Sequence, residues 1–244
     1  MSNIATGSAE RKFMMYGPRP SASRICSFSE ESAEKMIPGI TNVNLDLTTN
    51  CDQRCPNCCA AVGLGRVLQH HPWEYFERAA KVLYGIERVN CTGGEPTFHP
   101  QFAEFVPRFK ELFGCKVLAM TTDGWGVNKH FDVISATFDE IDFSYYHTNP
   151  GALAMIKHLM PHIRLNVYDA GQGASNFTPR DKIGPGGACE RAWWRSGTIA
   201  YADGRVHGCC VAPGIKPDGG LLTIAMESAM EIPDPPCASC WWSE

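Results

Sequence analysis

"VNLDLTTNCDQRCPNCC", residues 43–59, decides how the chain is read. Its first part alternates Val43, Leu45 and Leu47 with Asn44 and Asp46, the period of a strand with two unlike faces. Its second part places four thiols, Cys51, Cys55, Cys58 and Cys59, directly after that strand. Clustering of this kind argues for metal or redox chemistry rather than covalent staples, because cysteines in a reducing compartment are poor disulfide candidates.

Outward from this stretch the pattern repeats. Apolar residues at helical spacing predict helices over 71–85, 100–114, 128–138 and 150–162, and alternating runs predict strands over 88–92, 116–122, 140–146 and 163–169. Pro107 is expected to kink the second helix. Five strands separated by helices imply a parallel sheet with right-handed crossovers, an α/β fold of open or partial (β/α) barrel type with about five to six parallel strands. Ligands of such a sheet bind at the carboxyl ends of its strands, which is where the cysteine cluster falls.

Flanking regions differ. Residues 1–41 form a lead-in segment of mixed Gly, Ser, Pro and charge, 42–170 the barrel, and 171–244 a small extension. Within that extension 197–210 reads as a β-hairpin turning at Asp203 and Gly204, and the tail is expected to hold a short helix.

Composition narrows the functional classes. At 244 residues and 44% hydrophobic the chain can bury a substantial core. The net charge of −4, with no Lys/Arg run, does not favour nucleic acid. No apolar stretch approaches the roughly 20 residues of a membrane helix, and the first residues lack the apolar core of a signal peptide, so a cytoplasmic protein without a membrane partner is expected.

Cys51, Cys55 and Cys58 form C-x3-C-x2-C after the first strand, and Thr92–Pro96, "TGGEP", follows the second. In this βα context the pair of motifs resembles the radical S-adenosylmethionine (SAM) superfamily over about residues 42–169. The resemblance implies that the three thiolates hold a [4Fe–4S] cluster whose fourth iron is left for SAM. Gly93, Gly94, Glu95 and Pro96 would then bind the methionine moiety, the glycines by close backbone approach and Glu95 by accepting a hydrogen bond from the amino group. Asp123, in "TTDG" where the family often has Asn-Gly, offers itself to a ribose hydroxyl or serves the turn. Ser144, at the end of the fourth strand, sits where the family often places a polar contact to SAM, and Tyr146 and His147 are candidates for substrate contact. Asn57 stands where an aromatic commonly packs near the adenine. A structural zinc site is the competing reading of the triplet and would need a fourth ligand such as Cys59 or Cys91.

Cys189, Gly204 and Cys209 match C-x14-G-x4-C, and Cys237 with Cys240 closes the tail as C-x2-C. This resembles the SPASM or twitch extension of radical SAM enzymes and implies a second, auxiliary [4Fe–4S] cluster, with zinc the alternative and Cys210 a rival to Cys209. Trp193, Trp194, Trp241 and Trp242 are expected to shield it, and Cys26, Cys91 and Cys115 to be buried thiols. The implied activity is reductive cleavage of SAM followed by hydrogen abstraction from a substrate carbon. The substrate would be a small molecule, a nucleotide-like compound or a peptide, and the electron would come from a reductant such as flavodoxin or ferredoxin. A non-catalytic Fe–S or zinc protein and a nucleic-acid-modifying enzyme are the alternatives.

Overall fold

The computed structural model describes residues 41–53, 68–147, 149–169, 198–202, 205–207 and 223–225. Four β/α steps lead off: β1 (Asn42–Thr48), α1 (Trp73–Leu83), β2 (Arg88–Gly93), a short 3-10 helix (Pro96–Phe98), α2 (Phe102–Phe113), β3 (Val117–Thr122), α3 (Phe131–Thr137), β4 (Glu140–Tyr145), α4 (Pro150–Leu159) and β5 (Arg164–Asp169). Three more strands follow, β6 (Thr198–Ala202), β7 (Arg205–His207) and β8 (Thr223–Ala225).

All eight strands form one sheet in the order β5-β4-β3-β2-β1-β6-β7-β8. Every pairing from β5 through β1 to β6 is parallel, whereas β6–β7 and β7–β8 are antiparallel. The five-stranded parallel sheet with its helices is the expected α/β partial barrel. A sixth parallel strand is present, but it lies beside β1 and not beyond β5. The expected hairpin is formed by β6 and β7. In the tail, Thr223–Ala225 is a strand, and the remainder, where a short helix is expected, lies outside the described residues.

Alternation dictates the packing. Val43 and Leu45 of β1 stand in register with Val89 and Cys91 of β2 and, through them, Leu118 and Met120 of β3; Leu47 falls where the register shifts, and all of them are buried. The partner face of α2 carries Phe102, Phe105, Val106, Phe109 and Phe113, spaced so that one stripe of the helix is aromatic. The helix runs unbroken through Pro107 and ends at Gly114, whose φ of 58° is the left-handed region where a side chain is disfavoured. Trp73 and Phe76 of α1 complete the aromatic layer around Phe109, at ring distances of 6.1 and 4.9 Å. Cys91 and Cys115 are buried in this core, so Cys91 belongs to the helix side of the sheet.

The opposite face of the strands is polar and internally paired. Asn90 Nδ2 donates to Asn44 Oδ1 at 2.8 Å and to Thr121 Oγ1 at 2.9 Å, linking β1, β2 and β3. Thr92 Oγ1 donates to Asp46 at 3.1 Å. Arg88 bridges Glu140 at 3.0 Å and Asp142 at 2.8 Å, and Asn166 donates to the other oxygen of Asp142. No helix among the described residues is long and apolar enough to cross a membrane.

Candidate metal and cofactor site

The carboxyl ends of β1 and β2 are stitched together by backbone, and the Glu95 side chain ties in the end of β3. Gly94 N donates to Thr48 O and Glu95 N to Asn50 O, both at 2.7 Å. Gly93 has a φ of 122°, and a Cβ on it would fall on the Thr48 carbonyl; one on Gly94 would fall on the Asn50 carbonyl. The glycine pair is therefore required for the two loops to meet, and it brings the residue before Cys51 against the start of the Glu95 turn.

Glu95 is buried in the seam. Its Oε1 accepts from Thr97 N at 3.1 Å, Thr97 Oγ1 at 2.6 Å and Thr122 Oγ1 at 2.9 Å; Oε2 accepts from Thr122 Oγ1 and from Asp123 N, each at 2.9 Å. It caps the 3-10 helix, and Pro96 occupies the first position of that helix, where its missing N–H is not needed. Burial pushes the Glu95 carboxyl above the ordinary range, opposed by these donors.

Asp123 N thus hangs from Glu95, and its side chain turns back on the same loop, Oδ1 accepting from Trp125 N at 2.9 Å. Oδ2 is buried and has no hydrogen-bond partner among the described residues. Burial pushes the Asp123 carboxyl up to about 9, with Glu95 and Asp52 adding like-charge repulsion. Cys51 Sγ and carboxylate oxygens of Asp52 and Asp123 all lie within 4.8 Å of one another. Burial, and then the carboxyls of Asp123, Asp52 and Glu95, hold the Cys51 thiol protonated far above its usual range. Such a thiol becomes a ligand only when a cation takes the place of its proton.

The structure brings Cys51, Gly93, Gly94, Glu95, Pro96 and Asp123 together. Ser144 is half-buried at the end of β4, on the polar face shared with Asp142. His147 lies just beyond, with a φ of 62°; its Nε2 is 2.9 Å from Asp169 Oδ1 and its ring is 4.4 Å from that of Tyr145. Cys55, Cys58 and Cys59, and likewise Cys189, Cys209, Cys210, Cys237 and Cys240, Trp193, Trp194, Trp241, Trp242 and Cys26, lie outside the described residues. Alternation marked the polar members of each strand but not the side-chain pairings that join them across the sheet. Sequence reasoning passed over Thr122 and Thr97, which nothing in a single sequence ties to Glu95.

No protein-family model matches the chain. GTP 3',8-cyclase of Geobacter sulfurreducens is 33% identical over 90 residues, 35% of this chain and 27% of that protein. GTP 3',8-cyclase of Aquifex aeolicus is 27% identical over 126 residues, 48% of this chain and 38% of that protein. The chain thus spans well under half the length of these curated relatives. Among solved structures, BtrN in complex with AdoMet and 2-DOIA aligns at a TM-score of 0.53 and 12% identity, covering 70% of this chain and 74% of that one. That likeness is one of fold.

Together the matches support the radical SAM superfamily. Radical SAM relatives imply a [4Fe–4S] cluster and SAM. The residues present fit both groups: the half-buried Cys51 thiol, held protonated until a cation replaces its proton, stands at the end of β1, and the Glu95 turn and Asp123 stand beside it.

Proposed function

We propose that the chain is a radical SAM enzyme that reductively cleaves SAM and abstracts hydrogen from a substrate carbon. The observation that carries this reading is the convergence at three adjacent strand ends of Cys51, the Gly93–Gly94–Glu95 turn and Asp123, held by the backbone bonds to Thr48 and Asn50. Cys51, Cys55 and Cys58 would hold the cluster, which with SAM supplies a 5'-deoxyadenosyl radical. The chain's own part is positional. Glu95 fixes the β3 loop against the β2 loop, the glycines let the cysteine loop close on both, and the buried carboxyls favour a cation at Cys51.

Ser144 is assigned to SAM, and Tyr146 and His147 to the substrate side. Cys189, Cys209, Cys237 and Cys240 are assigned to an auxiliary [4Fe–4S] cluster in a twitch-like extension covering 171–244. The substrate is a small molecule, a nucleotide-like compound as the name of the cyclase relatives suggests, or a peptide. A cytoplasmic flavodoxin or ferredoxin is the reductant.

Anaerobic reconstitution should give about eight irons per chain if both cysteine sets carry [4Fe–4S] clusters, and SAM with a strong reductant should yield 5'-deoxyadenosine. Replacing Cys51, Cys55 and Cys58 together by Ala should abolish the nucleoside and halve the iron. Nucleoside formation by that triple variant, or oxygen-free material containing only zinc, would defeat the proposal.

A further inference from the structure

The polar face of β4 and β5 is a ladder of three rungs: Glu140 opposite Arg164, Asp142 opposite Asn166, and Ser144 opposite Tyr168. Side chains close the first two. Arg164 donates to Glu140 at 3.0 Å and Asn166 to Asp142 at 2.8 Å. The third rung lies at the carboxyl end of the strands, where the site is, and it is open. Among the described residues neither Ser144 nor Tyr168 makes a side-chain hydrogen bond, the Tyr168 ring meets no other ring, and Tyr168 is 55% exposed. Tyr168 is also the one aromatic among the described residues on this face of β1–β5, whose other positions are polar, charged or aliphatic. A ring that the protein leaves uncovered in a polar wall offers a flat apolar surface, and its place on a paired strand fixes where that surface is.

We propose that Tyr168 is the platform on which the adenine of SAM stacks. The inference rests on the radical SAM reading of the site, which puts the amino-acid end of SAM at Cys51 and assigns Ser144 to SAM. The order of the strands carries the rest. Cys51 follows β1, Glu95 and Asp123 follow β2 and β3, and Ser144 lies in the last turn of chain in β4. A ligand anchored at Cys51 and touching Ser144 therefore crosses the strand ends toward β5. A carboxylate oxygen of Asp123 already lies within 4.8 Å of Cys51 Sγ. From the end of β3 the end of β5 is two strand spacings away, about 10 Å, a span comparable with that of SAM from its amine to its base. The far end of SAM is its one flat aromatic part, and any base has a face that stacks on an aromatic side chain.

The test is a binding cycle on the cluster-loaded full chain under anaerobic conditions, with iron content confirming loading. The probes are S-adenosylhomocysteine and S-ribosylhomocysteine, of which only the first carries the base. Tyr168→Ala should weaken S-adenosylhomocysteine about tenfold and leave S-ribosylhomocysteine within about twofold of wild type. Tyr168→Phe keeps the ring and loses the hydroxyl, so its affinity for both probes should stay within about twofold of wild type. Where the base-free probe binds too weakly to titrate, the split between Phe and Ala decides.

Equal losses for the two probes, an unchanged affinity for S-adenosylhomocysteine in Tyr168→Ala, or a Phe variant as weak as the Ala variant would each overturn the inference. The two readings separate cleanly. A wild-type chain that binds no S-adenosylhomocysteine and cleaves no SAM fails the proposed function and this inference with it, whereas one that cleaves SAM while its Tyr168 variants ignore the base fails only the latter.

Discussion

The two faces of the parallel sheet are built on opposite principles. Against the helices, Phe76, Phe102, Phe109 and Phe113 and the odd-numbered residues of β1 are wholly buried and make no polar contact through their side chains. On the other face, Asn44, Asn90 and Thr121 form one hydrogen-bonded group across β1, β2 and β3, and Arg88, Glu140, Asp142 and Asn166 a second, of ion pairs and a hydrogen bond, across β2, β4 and β5. The first face tolerates any residue of suitable size and apolarity; the second depends on each partner being present. Apolar packing supplies most of the stability, while the polar lattice fixes the register that aligns the strand ends carrying the site.

The largest effect is expected on the apolar face. Phe109→Ala removes a ring that meets Phe76, Trp73 and Phe113 at once, and should destabilise by about 3–5 kcal/mol in denaturant titration. A loss below about 1 kcal/mol would mean that the aromatic layer is not the core. On the polar face, Arg88→Met leaves Glu140 and Asp142 facing each other without their shared cation and should cost about 3 kcal/mol. Here the two faces part company: adding Glu140→Gln and Asp142→Asn to that variant should restore at least half the loss, because the one charge left over, on Arg164, is exposed to solvent, whereas no second substitution to a smaller residue can rescue Phe109→Ala. If the triple variant is the less stable, the lattice is valued for its charges and not for its completeness.

The smallest effect is a pH slope. His99 is buried; its Nε2 donates to His71 O at 2.8 Å and its Nδ1 accepts from Gln101 N at 3.1 Å, an arrangement that only the neutral ring can satisfy. Burial lowers its pKa. The folded chain therefore resists a proton that the unfolded chain accepts below about pH 6.5. Its contribution is intact above that value and lost as pH falls toward the depressed folded value. His99→Gln should flatten the thermal-stability profile below pH 6.5, and an unchanged profile would place the acid sensitivity elsewhere.

The sequence revealed some of these features and hid others for physical reasons. Alternation in "VNLDL" and its counterparts is a local property, so the strands and their two faces were readable in advance. The partner of Arg88 was not, because it depends on the register of β2 with β3 and of β3 with β4, which no single strand specifies. The motif around Glu95 located the seam but not the direction of its side chain, which Thr97 and Thr122 decide. β6 beside β1 was likewise hidden: a short run such as "TIAYA" suits either edge of the sheet, and only the assembled fold chooses.

That placement of β6 bears on how the protein is made. β1 sits inside the sheet between β2 and β6, so one side of it stays open until Thr198 has left the ribosome, long after its other neighbours have been synthesised. An apolar strand with an unpaired edge is a site of intermolecular association. Slower elongation, lower growth temperature or a holdase chaperone during synthesis should therefore raise the yield of soluble protein, while stabilising the finished fold should do little.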